Sequence, residues 1–308
     1  MSKPRGRLDR TYRIMWDQNH PFQSHYNPPM SPETVAQSHF GNLAGTPVDA
    51  YVCALGPDAG YVTAFKSERT QMEYLVERYE RGAALGDVRY WRHAENLKQL
   101  WARGIDPLEV MVGESDRLGI DHWFRLGMND WHHFDADSGS VYRLGGSEFY
   151  EGRTDLLIGK EGAEGWADHA ELHYVLPWMQ DFAHDEVRGL RRDIALEVCE
   201  RYDCAGFLFD FLRVPAFFRF GEERENAHLM TKMLRETREG LDEIARIKGR
   251  PLGLTVRVPP TVAGTVRMGL DVDEWISEHL VDVVVPSTFF AQDTEEDASE
   301  WVAAAADT

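Results

Sequence analysis

The sequence predicts an α/β fold of the (β/α)8 TIM-barrel type, carried through about six strand–helix units. Three observations predict it. Short apolar runs alternate with longer segments of helical period from one end of the chain to the other. The run Cys204-Ala205-Gly206-Phe207-Leu208-Phe209-Asp210 places apolar residues on successive positions, as in a parallel strand buried on both faces. Acids, amides and arginines stand at the C-terminal ends of the apolar runs, where a barrel of this kind carries its chemistry.

Taken in order, Tyr12 to Trp16 reads as the first strand, with the polar loop Asp17-Gln18-Asn19-His20-Pro21 above it. Ser31 caps a helix that has Pro32 at its first position and runs to about Leu43. Val48 to Leu55 is the second strand, broken by Gly56-Pro57-Asp58-Ala59-Gly60. Residues 61–90 read as an excursion with a helical patch near Glu73 to Arg81. Helical period returns at His93, is interrupted at Arg103 to Pro107, and continues to Gly119. His122 to Met128 is the third strand. Residues 134–183 read as a long inserted loop, rich in Gly, Asp and His, that helps build a cleft.

Asp185 to Tyr202 is the next helix, with Val187, Leu190, Ile194 and Val198 on one face, and residues 206–211 are the fourth strand. Glu223 to Ile247 is a helix, Leu252 to Val258 the fifth strand, Asp271 to His279 a short helix, Val281 to Pro286 the sixth strand, and Glu295 to Ala305 a last helix. A closed barrel needs eight strands. The expectation is therefore one barrel domain over residues 1–308 whose seventh and eighth strands are missing, so that the chain reads as truncated.

The totals narrow the partners. With 308 residues and 43% apolar side chains the chain can bury a sizeable core. Its 33 basic and 52 acidic side chains give a net charge of −19. Such a surface repels nucleic acid and anionic membrane, and both are set aside as partners. Three cysteines without CxxC spacing argue against a disulfide framework or zinc ribbon, and Cys199 and Cys204 read as small buried apolar residues across a helix end. Met1 to Arg10 is polar and basic, with no apolar run of a signal peptide, and nothing reaches the length of a membrane span. A cytoplasmic location is the expectation.

The candidate site gathers the polar and aromatic residues at the C-terminal end of each strand. These are Asp17 and His20, then Asn129, Asp130, Trp131 and His132, then Asp210 and Arg213, then Arg257, then Ser287, Gln292 and Asp293. In a barrel these positions converge on one mouth. Burying Asp210 costs several kcal/mol unless it is paired, so it either meets an arginine such as Arg213 or Arg257 or does chemistry. Carboxylates for acid–base or nucleophilic work, Asn and Arg for hydroxyls, and aromatic faces together suit a sugar. Asp210 and Asp130 are the expected catalytic acids. Asp17, Asn129, Trp131, His132, Arg213 and Arg257 are the expected substrate-binding residues.

Three stretches carry a family likeness. They are Phe124-Arg125-Leu126-Gly127-Met128-Asn129-Asp130-Trp131-His132, Asp181-Phe182-Ala183-His184-Asp185-Glu186-Val187-Arg188, and Tyr202 through Arg213. Together they resemble the glycosyl-hydrolase-like family 10 group and related (β/α)8 glycosidases. The resemblance implies a barrel acting on glycosidic bonds of poly- or oligosaccharides without a cofactor. It puts the family's strand-end Asp on Asp210 and its Asn-Asp pair on Asn129 and Asp130. Glycoside hydrolysis is therefore the leading expectation. A metal-dependent hydrolase using His132, Asp130, His20 and Asp210, and a carbohydrate-binding barrel without catalysis, are the alternatives. Asp130, Asp17 and Asp293 compete for the part of second acid.

Overall fold

The structure is a computed structural model that describes residues 8, 11–18, 25–55, 62–69, 73–74, 76–77, 88–129, 134–135, 140–141, 153–166, 175–212, 214, 216–288 and 297–306. Six strands form one sheet: β1 (Met15–Gln18), β2 (Ala50–Ala54), β3 (Asp121–Gly127), β4 (Gly206–Asp210), β5 (Gly253–Val258) and β6 (Val283–Pro286). Their order in the sheet is their order in the chain, and every pairing is parallel. A doubly wound sheet would reverse its order partway. Sequential order winds one way only, so the crossover helices collect on one face and the sheet curls around the other. The result is a curled half-barrel, as the alternation of runs predicts.

The helices are α1 (Pro32–Phe40), α2 (Val88–Ala102), α3 (Pro107–Leu118), α4 (Asp185–Arg201), α5 (Glu223–Lys248), α6 (Val262–Arg267), α7 (Val272–Ser277) and α8 (Ser299–Ala305). Their ends follow local chemistry. The Ser31 hydroxyl accepts from Thr34 N–H and the Asp106 carboxylate from Leu108 N–H, each ahead of a proline in the first turn. Gly119 and Gly249 close α3 and α5 at φ of 70°, a left-handed conformation that glycine adopts without strain. Helix α6 is absent from the sequence reading. Its signal is Thr261, directly after Pro259-Pro260, whose hydroxyl accepts from Gly264 N–H at 3.1 Å.

Two corrections concern connections. The segment predicted helical from Glu73 begins with Glu73–Tyr74 paired in parallel with Val62–Thr63. The predicted loop 134–183 is not structureless where it is described. It holds a short antiparallel pair, Phe134–Asp135 with Ser140–Val141, and a one-turn helix, Gly159–Ala163. Ile158, Ala163, Val175, Leu176 and Met179 from this segment pack on Val214 and Ala216 in a small core of their own.

The period of two sorts each strand between the faces. Tyr51, Cys53, Phe124, Leu126, Phe207, Phe209, Leu254 and Val256 face the helices in the main core. Ala50, Val52, Trp123 and Leu208 face the other way and pack with Leu8, Tyr12 and Met15 inside the half-barrel. Trp123 is fully buried there. Its ring lies over β4 and β5, where a Cβ on Gly206 or Gly253 would stand 2.5 or 2.2 Å from it. Tyr12 meets the indole edge-on at 5.7 Å and donates its hydroxyl proton to Asp121 at 2.7 Å. The base of the interior is thus an aromatic plug.

On the helix side His39, His93 and His122 are buried, and burial pushes each imidazole down to about 3. His39 Nδ1 lies 2.6 Å from the Tyr51 hydroxyl, and His122 Nδ1 lies 2.8 Å from the Ser115 hydroxyl. The unfolded chain protonates these groups near pH 6.5 and the folded chain resists it. Stability is therefore full above about pH 6.5 and falls as pH drops toward 3, by up to about 1.4 kcal/mol per histidine per pH unit. Urea midpoints between pH 7 and pH 4 should show this decline, and His93→Leu should flatten it while leaving the pH 7 value near that of the parent.

The plug makes its own prediction. Gly253→Ala forces Trp123 to move, which should cost about 1–3 kcal/mol in urea unfolding. Alanine at the open position Gly113, where a Cβ meets nothing within 4 Å, should not destabilise.

Candidate active site

Above the plug the interior turns polar, and strand register dictates where. Asp17 shares a row with Val52 and Trp123; Arg125 pairs with Leu208 and, through it, with Thr255; Gly127, Asp210, Arg257 and Val285 form the row nearest the strand ends. Successive inward positions on β1, β3, β4 and β5 thus deliver an acid, a base, an acid and a base to one surface.

The contacts run in a chain. Arg125 Nη1 lies 2.8 Å from Asp210 Oδ2 and 3.3 Å from Asp17 Oδ2, so one guanidinium nitrogen touches both carboxylates. Arg257 Nη1 reaches Asp210 Oδ2 at 3.2 Å, and its Nη2 donates to the Ser287 hydroxyl at 3.0 Å. Asp210 Oδ1 accepts from Leu212 N–H at 3.0 Å. Two guanidinium groups and a main-chain N–H therefore surround one carboxylate whose side chain is 3% exposed. Both of its oxygens are engaged, and few routes remain for a substrate atom to reach them.

Asp17 differs. It lies on an edge strand, and 36% of its side chain meets solvent. The protein around it still displaces enough water to push its pKa up; Arg125 opposes this and the negative charge of Asp210 adds to it. Two carboxylates that share one arginine thus sit in unlike settings, one enclosed and one open. Thr255 lies below Asp210, its hydroxyl buried and without a hydrogen-bond partner among the described residues.

Asn129 is held within the protein by its own amide. Its Nδ2 donates to the carbonyls of Ala216 at 2.7 Å and Gln180 at 3.2 Å, and its Oδ1 accepts from Gln180 N–H at 3.2 Å. The amide staples the chain above β3 to the segments at 180 and 216. Arg191 on α4 reinforces it, donating to Met128 O at 3.1 Å and to the Gln180 side chain. Nearby Asp181 accepts from Ala183 N–H at 2.9 Å and faces Arg219 at 3.4 Å.

The structure brings together Asp17, Asp210, Arg257 and Ser287 of the residues singled out in the sequence, and it adds Arg125 as the link. Arg125 is hidden in the sequence by its place in mid-strand between Phe124 and Leu126. Its signal is the spacing of two from Trp123 and from Gly127, which places it on the inward face. Asp130, Trp131, His132 and Arg213 lie outside the described residues, as do His20, Gln292 and Asp293. Among the described residues no group of three or more His, Cys, Asp or Glu side chains is disposed to hold a metal ion.

No family model matches the chain, and no curated protein matches it. The resemblance to the glycosyl-hydrolase-like family 10 group rests on sequence stretches alone, those quoted above together with Gly269 to Val272, Trp275 and Val281 to Pro286. Among solved structures, the fold is similar to α-L-fucosidase isoenzyme 2 from Paenibacillus thiaminolyticus, with a TM-score of 0.43 and 9% identity over 96% of this chain and 48% of that one. It is also similar to a family GH18 chitinase from Chromobacterium violaceum, with a TM-score of 0.30 and 17% identity over 54% of this chain and 24% of that one. The chain thus spans about half the length of the fucosidase it matches. Likeness this distant says nothing of substrate.

The two carboxylates should separate in stability measurements. Asp210→Asn leaves Arg125 buried without its closest counter-charge and should cost about 3–5 kcal/mol in urea unfolding. Asp17→Asn removes the longer and more exposed contact and should cost no more than about 1 kcal/mol. Equal losses would contradict the division between an enclosed and an open acid.

Proposed function

We propose that the chain is a glycoside-hydrolase-like protein whose proton-transferring group is Asp17, with Asp210 as the fixed anion that aligns Arg125 and Arg257. One observation carries this reading: an open carboxyl with a raised pKa shares a guanidinium nitrogen with an enclosed, fully engaged carboxylate on the inward face of a (β/α) half-barrel. A general acid needs a proton at working pH and access to the leaving oxygen. The raised pKa of Asp17 moves it toward the first requirement, and its exposure to solvent favours the second. Unequal environments for neighbouring carboxylates are a recurring basis for dividing acid and base roles.

Asp210 then acts as a positioning residue rather than as a nucleophile, because its oxygens are already held. The second carboxylate of a hydrolase falls to Asp130, the next residue along from Asn129, whose amide is pinned on three sides. Arg257, open on one flank, and Trp131, His132 and Arg213 are proposed to meet sugar hydroxyls and ring faces. A poly- or oligosaccharide is the proposed substrate. Hydrolysis by this pair of acids requires no cofactor.

The enclosure of Asp210 also favours a second reading, a carbohydrate-binding barrel without turnover. A panel of aryl glycosides and oligosaccharides, assayed for hydrolysis and for binding by calorimetry, separates the two. Hydrolysis is expected, with kcat/KM falling as pH rises through the raised pKa of Asp17. Asp17→Asn should remove that alkaline limb and lower kcat by about 10²–10⁴-fold, with the urea midpoint almost unchanged. Undiminished turnover in the variant would take Asp17 out of the mechanism. Glycan binding without turnover by the parent would establish the binding barrel instead.

A further inference from the structure

A second cluster of reactive groups lies at the other end of the strands. Cys199 sits in the last turn of α4 and Cys204 in the turn that enters β4. Both are fully buried, and their sulfurs are 3.6 Å apart, each the hydrogen-bonding neighbour of the other. A disulfide needs about 2.05 Å, so closure asks for a shift of about 1.5 Å, within reach of the end of a helix and a turn. Cys53, the remaining cysteine, is buried on β2 with its sulfur 3.5 Å from the Ala54 carbonyl, and burial pushes its thiol up to about 12.

Three cations act electrostatically on the pair, and each is fixed by another contact. Lys248 donates to Tyr202 O at 2.6 Å, Arg238 donates to Leu252 O at 2.9 Å, and Arg250 pairs with Asp203. The proton shared between the sulfurs favours loss from Cys204, whose pKa is lowered first by the Cys199 S–H and then by Lys248 and Arg250, against burial. Cys199 is pushed up by the same hydrogen bond and by burial. One sulfur is thereby suited to attack and the other to resolve.

We propose that Cys199 and Cys204 are a redox-active dithiol that closes to a disulfide on meeting a peroxide. The Cys204 thiolate attacks one peroxide oxygen; the S–O bond forms, the O–O bond breaks, and hydroxide leaves to take up the proton that Cys204 had released. The Cys199 sulfur then attacks the resulting sulfenic acid; the S–S bond forms, the S–O bond breaks, and the departing hydroxyl leaves as water with the Cys199 proton. Two thiols are oxidised and one hydrogen peroxide is reduced to two waters. A small oxidant suits a buried pair, which it meets when the last turn of α4 opens locally. The closed loop is short, so the bond adds little through chain entropy and acts chiefly by holding the turn at 202–205. The proposal stands apart from the reading of Asp17, since neither sulfur belongs to the inward face.

Trypsin provides the test. Arg201 lies between the two cysteines, so digestion yields Asp193 to Arg201 and Tyr202 to Arg213 as separate peptides unless a disulfide joins them. The folded full chain is treated with hydrogen peroxide, its remaining thiols are alkylated in denaturant, and the digest is weighed. The joined pair, two hydrogens lighter than its parts and released by dithiothreitol, is expected as the main product. Amide exchange at Tyr202 and Ala205 should slow in the oxidised chain, and Cys204→Ser should lose both effects while keeping the parent's circular dichroism. Peptides that stay fully alkylated, sulfinic acid on either sulfur without joining, or a bond to Cys53 would each overturn the proposal.

Discussion

The run of alternating charges from Asp17 through Arg125 and Asp210 to Arg257 is the constraint around which the inner face is built. Ions taken out of water need counter-ions at contact distance; here Asp210 meets Arg125 and Arg257 from the strands beside it, and Asp17 reaches Arg125 across β2. With both acids ionised, two acids and two bases balance, and the interior then carries no net charge from them. The arrangement also fixes the register. A slip of one residue in β3 would turn Arg125 toward the helices and bring Phe124 and Leu126 inward, stranding Asp210 beside an apolar surface. Apolar patterning alone tolerates some disorder in pairing; a buried charge sequence shared by four strands tolerates much less.

The floor beneath this run strengthens it. Trp123 fills the space over Gly206 and Gly253, with Tyr12 and Leu8 against it, and keeps that end of the interior apolar. Charges standing on such a floor interact more strongly than charges on an open surface, because less water lies between them. The two glycines contribute by what they omit. Side chains at either position would displace the indole, and the ring would crowd the row that holds Arg125.

Much of this was legible in the chain. Asp210 was conspicuous as a carboxylate ending an apolar run, and Arg257 as a cation on a strand that had to neutralise something. The alternation of runs implied the sheet order, since each connection is long enough to return parallel and wind sequentially. The partner of Asp210 was not legible. Its nearest guanidinium comes from Arg125, 85 positions earlier, and that pairing exists only once β3 lies beside β4. The hydrogen bonds of Asn129 were not legible either. An amide after a strand suits a ligand and suits a staple equally, and only the positions of residues 180 and 216 decide between them. Helix α6 was hidden by its six-residue length, too short for a period to declare itself.

Position in the sheet explains why Asp17 meets solvent while Arg125 and Asp210 are enclosed. Arg125 and Asp210 lie on interior strands, where neighbours on both sides close over them, and Arg257, also on an interior strand, stays open on one flank. Asp17 lies on β1, with β2 on one side, and solvent reaches it. A proton leaving or joining Asp17 therefore changes the charge felt by Arg125 without uncovering Asp210. One nitrogen of the arginine touches both acids. An ion pair rigid at one end and titratable at the other is a setting in which an acid can give up its proton to a bound oxygen while the fold around it stays neutralised.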